Sequence, residues 1–413
     1  MNRNVPAALT AADDLASTLA DPRIMSGRVP PADGRTWPQS LAGGAAGIAL
    51  LHVERARSGR GDWATARAWL SAAVGGEVTA AANASLYFGA PALAFVLRIA
   101  ASSSGGYRRA LAALDDATLS VTRTRLAQAH ARIDQAERPE LREFDVIRGL
   151  AGLGAYYLSS HPDHQVTRDV LSYLVRLTDP LPGPGGLPPW WASVAPSGEP
   201  SPDYPDGHGN LGLSHGIGSV LAVLSLALLR GLTVPGMADA AGRICAWTDQ
   251  WRRGGNPSWW PGFITIEQAR DHHVDPGLRP RPSWCYGIAG TARAQQLAAM
   301  ALREPARQEA AESAMLAVLR DPAELSRLRE AGLCHGTAGL LHAAWRMAAD
   351  ARTPAISAEL PLLAARLTAQ LKDSQSAHSP ELLDGTAGAA LALHSIGAGA
   401  APAPRWDAFL ALA

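Results

Sequence analysis

The sequence is short of the residues that most often announce a function. It has three cysteines in 413 residues, Cys245, Cys285 and Cys334. That is too few for a disulfide framework, and it turns attention to metal binding or catalysis by a close pair. Lys372 is the only lysine, so the 37 basic side chains are nearly all Arg, balanced by 37 acidic ones. A neutral chain without a basic block lacks the electrostatic footprint of a nucleic-acid binder. The longest mainly apolar run, Val220 to Leu229, is too short to cross a bilayer, so no membrane insertion is expected. The first residues, MNRNVPAALTAADDLAST, carry acidic side chains where a signal peptide needs an apolar stretch. A soluble, cytoplasmic protein is expected.

Aromatic residues are also sparse, at 6%, whereas hydrophobic residues make up 47% with alanine and leucine in front. That balance favours helices over sheets. The helices are organised by a repeat. GGAAGIALLH (43–52), RGLAGLGAYYL (148–158), HGIGSVLAVL (215–224), YGIAGTARAQQL (286–297), HGTAGLLHAAW (335–345) and DGTAGAALALH (384–394) share one pattern. FGAPALAFVL (88–97) is a weaker copy with alanine for the second glycine. The first glycines fall at 44, 89, 149, 216, 287, 336 and 385, spaced 45 to 71 residues apart. That interval suits two helices and their loops, and self-similarity on this scale marks a repeat architecture.

Small residues at i and i+3 share a helix face and let another backbone approach closely. The intervening alanine- and arginine-rich segments, such as AESAMLAVL (311–319), read as outer amphipathic helices. About seven inner and seven outer helices would form an all-α, α/α toroid, a single domain over residues 1–413. An open solenoid of helical hairpins is the other arrangement. Two long loops, 179–210 and 252–282, carry the pairs Trp190–Trp191 and Trp259–Trp260. Loops of this length are functional or disordered more often than not. The tryptophans either line a cleft or plug the loops onto the body.

In such a ring, the residue before each first glycine lies at one end of an inner helix. Arg148, His215, Tyr286, His335 and Asp384 occupy that place, with Cys285 and Cys334 one step earlier. A helix N-terminus carries partial positive charge and stabilises thiolates. Cys285, Cys334 and His335 therefore read as three ligands of one metal, and two thiolates with one imidazole suit Zn2+, one ion per chain. Three protein ligands leave the fourth position open, as at a catalytic zinc. A buried, unreactive cysteine pair is the alternative. Cys245, on an outer-helix pattern, reads as inert core.

WCYG, LCHGTAG, LSHGIG and FDVIRGLAG together resemble the motifs of the LanC family of lanthionine synthetases, the lanthipeptide cyclases. The four motifs span 144 to 339 in the family's order, and the glycine repeats extend the likeness on both sides. The resemblance implies a seven-by-seven α/α toroid and one zinc on Cys285, Cys334 and His335. It implies proton handling by His215 and Asp145, and an active site also lined by Arg281 and Tyr286. Many relatives carry proline after the Gly-Ile of the histidine motif, where this chain has Gly218. Residues 101–144, where some relatives hold a small inserted domain, show no β pattern and read as helix.

The reaction implied is intramolecular addition of a peptide cysteine thiol to dehydroalanine or dehydrobutyrine, which closes a thioether ring. The substrate would be a dehydrated precursor peptide, leader plus core, prepared by a separate dehydratase, with an exporter complex as a further expected partner. Histidine titrates near neutrality when unperturbed, so His215 is the first choice to protonate the enolate, and it could also accept the thiol proton. Asp145 could orient His215, or simply cap the helix before VIRGLAG. Arg281 could stabilise the enolate oxygen, or, like Arg279, form a salt bridge. Tyr286 is expected to pack or hydrogen-bond near the metal. His208 could line the mouth, whereas His272 and His273 read as solvated.

Intermolecular addition of glutathione to dehydroamino acids in proteins is a second function open to this chain. A catalytically silent peptide-binding scaffold is a third. An isoprenoid enzyme would share the toroid, but the sequence has no convincing aspartate-rich diphosphate motif.

Overall fold

A computed structural model describes residues 6–25, 38–181, 186–255, 257–373, 379–399 and 405–413. Among the described residues the regular structure is helical, apart from two paired two-residue strands, Gly209–Asn210 and Phe263–Ile264, and short bridges, with turns and irregular loops between the helices. Every first glycine of the repeat caps a helix. Gly44, Gly89, Gly149, Gly216, Gly287, Gly336 and Gly385 are the N-cap residues of the seven inner helices. The weak copy at Gly89 is therefore a true member, with Pro91 tolerated in its first turn, where no intrahelical N–H is needed.

The chain divides into two compact units. One comprises Met1–Val121 and Leu325–Asp407. It holds the inner helices Ala45–Arg57, Ala90–Ser104, Thr337–Asp350 and Thr386–Ala398. Trp63–Ala73 packs outside the first of these and Ala355–Asp373 outside the third, while Pro6–Thr18 covers the last. The other unit comprises Thr122–Glu324 and Ala408–Ala413. Its inner helices are Leu150–Ser160, Ile217–Leu229 and Ile288–Leu302, each packed on the outer helix that follows it in the chain. Those outer helices are Gln165–Arg176, Met237–Gln250 and Pro305–Leu319. Helix Arg108–Asp134 occupies most of the segment expected to be helical at 101–144.

Burial separates the two kinds of helix. In Ile217–Leu229, every residue from Ile217 to Ala227 is buried, so it needs no polar face. In Gln165–Arg176, Val166, Val170, Leu171 and Leu174 are buried on one stripe while Gln165, Arg168 and Asp169 lie outside it. Each such Val or Leu contributes about 1.5–3 kcal/mol on burial, so truncating Leu171 to alanine would cost about 2–5 kcal/mol. The glycines answer to close approach. A Cβ at Gly287 would lie 2.0 Å from the Arg281 carbonyl oxygen, and one at Gly388 would lie 1.9 Å from that of Leu382. Gly218 sits in the first turn of its helix, where a Cβ would lie 2.8 Å from the Leu211 carbonyl.

The two long loops lie in the second unit and meet at the strand pair, with Gly209 opposite Ile264 and Asn210 opposite Phe263. Residues 182–185 of the first loop and 256 of the second lie outside the described residues. All four loop tryptophans are buried. Trp191 donates its indole N–H to the Asp206 carbonyl, and Trp190 meets Trp247 edge-on at 5.6 Å. They anchor the loops to the body, the plug arrangement of the two expected.

Candidate functional site

The repeat phase corresponds to a repeated turn. The N–H of Gly149 donates to the carbonyl of Asp145, that of Gly216 to Gly212 and that of Gly287 to Ser283, each at 3.1 Å. In the other unit, Gly336 donates likewise to Gly332 at 3.1 Å and Gly44 to Ser40 at 3.0 Å. One α-turn thus precedes each of these helices and fixes the two residues before the glycine in one orientation. Successive turns are also stitched together. Val146 N–H donates to Ser214 O at 3.2 Å, and Leu213 N–H donates to Cys285 O at 2.8 Å. Asp145, His215 and Cys285 therefore stand on three consecutive rungs of one ladder in the second unit.

Across the first pair of rungs, His215 Nδ1 lies 2.6 Å from Asp145 Oδ2. The other carboxylate oxygen, Oδ1, accepts the N–H groups of Arg148 at 2.5 Å and Gly149 at 2.8 Å. Capping and orienting His215 are not rival roles, because each oxygen serves one of them. The Asp145 side chain is 1% exposed and that of His215 is 30% exposed, so the pair is anchored at one end and open at the other. Arg125, on helix Arg108–Asp134, donates to the Arg148 carbonyl of the same turn. Burial pushes the Arg125 guanidinium below its ordinary value, and the negative charge of Asp145 opposes that shift.

His215 opens onto a solvent-connected cleft whose walls include Arg142, Asp145, Arg148, Val194 and Glu199. Tyr286, on the next rung, tilts beside the His215 ring at 6.4 Å and meets Phe263 edge-on at 4.9 Å. Burial pushes its phenol above the ordinary value, against hydrogen bonds with Asn210 and Ser214. The phenol stays protonated and packs against Phe263.

Cys285 is buried, with its Sγ 3.3 Å from Ser283 Oγ. In the first unit, Cys334 is buried at the equivalent turn and its N–H donates to Leu383 O at 2.9 Å. His335 follows it, half-buried, with Nε2 3.8 Å from Asp384 Oδ1. None of the three cysteines is in a disulfide. Cys245 lies inside an outer helix, and burial pushes its thiol up to about 12, which leaves it an inert core residue.

Arg281 is not among the residues that line the His215 cleft; its carbonyl accepts from Ser283 N–H at 2.7 Å. Arg279 pairs with Glu324 at 3.4 Å. His208 does not face the cleft. It is fully buried beneath its own loop, bonded to Val194 O at 2.7 Å, and desolvation lowers its imidazole to about 4. His272 and His273 are exposed. Sequence reasoning missed Arg125, Asn210 and Ser214. Arg125 carries no motif and looks like any arginine of an outer helix; only its approach to the Asp145 turn distinguishes it.

No helix among the described residues is long and apolar enough to cross a membrane. No curated protein sequence matches the chain. Among solved structures, the chain is similar to "Nisin cyclase", with a TM-score of 0.78 and 19% identity, over 98% of this chain and 97% of that one. At that identity the likeness speaks for the fold alone: the all-α expectation holds, and the shared fold is consistent with an α/α toroid. The family model described as Lanthionine synthetase C-like protein matches residues 35–411. That match embraces all seven N-cap glycines, and the chain accordingly belongs to the lanthionine synthetase C-like family.

Proposed function

We propose that the protein is a zinc-dependent lanthipeptide cyclase, which adds peptide cysteine thiols to dehydroalanine or dehydrobutyrine and so forms lanthionine or methyllanthionine rings. The observation that carries the reading is the His215–Asp145 pair, one rung from Cys285 and open to a cleft. Membership of the family supports it.

The donor set fits zinc. Cys285 and Cys334 each stand two residues before the N-cap glycine of an inner helix, where the helix dipole favours thiolate, and His335 supplies a neutral imidazole. We assign these three as the ligands of one Zn2+ per chain. When bound, zinc would lower the pKa of an incoming thiol while two thiolate ligands keep its sulfur nucleophilic.

The other steps belong to the chain's own side chains. The thiol sulfur bonds to the alkene β-carbon, the π bond breaks, and the α-carbon takes a proton, so the ring closes with no net change in atoms. Asp145 fixes the His215 tautomer through Nδ1, which leaves Nε2 to deliver that proton or to take the one released by the thiol. Tyr286 walls the histidine and excludes water from its flank. Arg281 is assigned a donor role near the Cys285 turn.

The dehydro residues require prior loss of water from Ser or Thr, the work of a separate dehydratase, and an exporter complex is a further proposed partner. Incubating the zinc-loaded protein with a dehydrated peptide, with and without glutathione, tests the reading. Cyclisation consumes free thiol at constant peptide mass. A glutathione adduct instead would establish intermolecular addition, and no change in either would leave a peptide-binding scaffold.

A further inference from the structure

The cleft beside His215 contains a cation that the proposed reaction has not used. Arg148 holds the same place before its glycine as His215 does in the next copy, and its side chain is exposed on the cleft wall. Among the described residues its guanidinium forms no ion pair, whereas Arg142 on the same wall pairs with Glu140.

Arg148 differs from an ordinary surface arginine in how its main chain is held. Its N–H donates to Asp145 Oδ1 at 2.5 Å, and its carbonyl accepts from the Arg125 guanidinium. The carboxylate that orients His215 therefore also fixes the root of the Arg148 side chain. The far wall comes within ordinary van der Waals reach of the guanidinium. Gly198 has φ +87°, in a turn closed by its N–H to Ala195 O at 2.8 Å, and a Cβ there would approach Arg148 Nη1 to 3.9 Å.

We propose that Arg148 is a substrate-binding residue of this cleft, its guanidinium taking a main-chain carbonyl oxygen of the dehydropeptide beside His215. This inference rests on the proposed cyclase reading. A guanidinium presents a planar fork of donors suited to such an oxygen. The carbonyl next to the α-carbon gains negative charge as sulfur adds, so the contact strengthens toward the transition state. A peptide carboxylate is the less suitable partner, because Asp145, Glu140 and Glu199 already line the cleft.

The test uses the full-length zinc-loaded protein and an N-acetylated, C-amidated peptide with one dehydroalanine, one cysteine and no acidic residue. R148M is expected to lower kcat/KM by about 10- to 100-fold, with zinc content and Tm unchanged. R148K recovers part of the loss, and R168M, on an outer helix, leaves the rate unchanged. Anisotropy of a labelled analogue with serine for cysteine reads peptide binding without turnover, and R148M is expected to weaken it. R148M within threefold of wild type in both readouts overturns the inference, as does a loss seen only with acidic peptides. Loss of zinc or Tm in both R148M and R148K also overturns it, because the residue would then be structural. Wild-type protein that binds but does not cyclise overturns the cyclase reading alone, and the anisotropy difference still decides Arg148. Wild-type protein that neither binds nor cyclises overturns both.

Discussion

His215 Nδ1 and Asp145 Oδ2 lie 2.6 Å apart although 70 residues separate them in the chain. The distance follows from the ladder. Val146 N–H bonds to Ser214 O, which draws the turn before one inner helix against the turn before the next. The same link that aligns the helices therefore also assembles the histidine and its carboxylate, and Asp145, almost wholly buried, has little freedom to leave.

That pairing sets the first prediction. Asp145→Asn keeps an oxygen for the Arg148 and Gly149 N–H groups but removes the charge that holds His215. Cyclisation kcat is expected to fall by about 10²- to 10⁴-fold, with a much smaller change in Tm. His215→Ala should fall comparably, and the double variant no further, since the two act as a unit. Additive losses in steady-state kinetics would mean that the residues work independently.

The metal set is tested by composition. Cys285→Ala, Cys334→Ala and His335→Asn are each expected to reduce bound zinc from about one per chain to a small fraction. Metal analysis of the purified proteins checks this, alongside the activity of the same samples. Cys245→Ala, which removes an inert thiol from an outer helix, should retain full zinc.

Tyr286→Phe separates packing from proton transfer. Burial keeps the phenol protonated throughout the working range, so its loss should leave the shape of the pH–rate profile unchanged. A rate loss below about tenfold is expected, with about 1 kcal/mol of stability from the hydrogen bonds to Asn210 and Ser214. A lost limb in the profile would instead make the phenol the acid.

Stability should depend on pH through three buried histidines. Desolvation lowers His52, His208 and His394 from 6.5 to about 4 each. A depressed folded value means that the folded state binds fewer protons than the unfolded one. Their contribution is thus fully present above about pH 6.5 and is lost as pH falls toward 4. Denaturant unfolding between pH 7 and pH 4 is expected to show a drop of several kcal/mol, reduced in a His208→Phe variant. A flat profile over that window would show that these groups are not desolvated in solution.

The helical class, the seven inner helices, the shared phase of Cys285 and Cys334, and that of His215 and His335 one step later could all be read from the chain. These depend on local features that a sequence displays: small residues where backbones touch, apolar runs where helices are enclosed, and glycines at the N-caps. The loop tryptophans showed the limit, since a lining and a plugging tryptophan have the same sequence signature and only burial decides between them. His208 was ambiguous for the same reason. Its desolvation comes from residues of its own loop together with Phe263 of the other, packed in three dimensions.

By itself the sequence determined which residue types recur at one end of each inner helix, because the repeat carries its phase along the chain. Only the tertiary structure decided what those positions meet. It divided the two oxygens of Asp145 between a cap and a histidine, brought Arg125 under the Arg148 carbonyl, and left the Arg148 guanidinium in the cleft. The Asp145–His215 and Arg125–Arg148 contacts join residues 70 and 23 positions apart, set by the packing of turns and helices against one another, for which a linear pattern carries no mark.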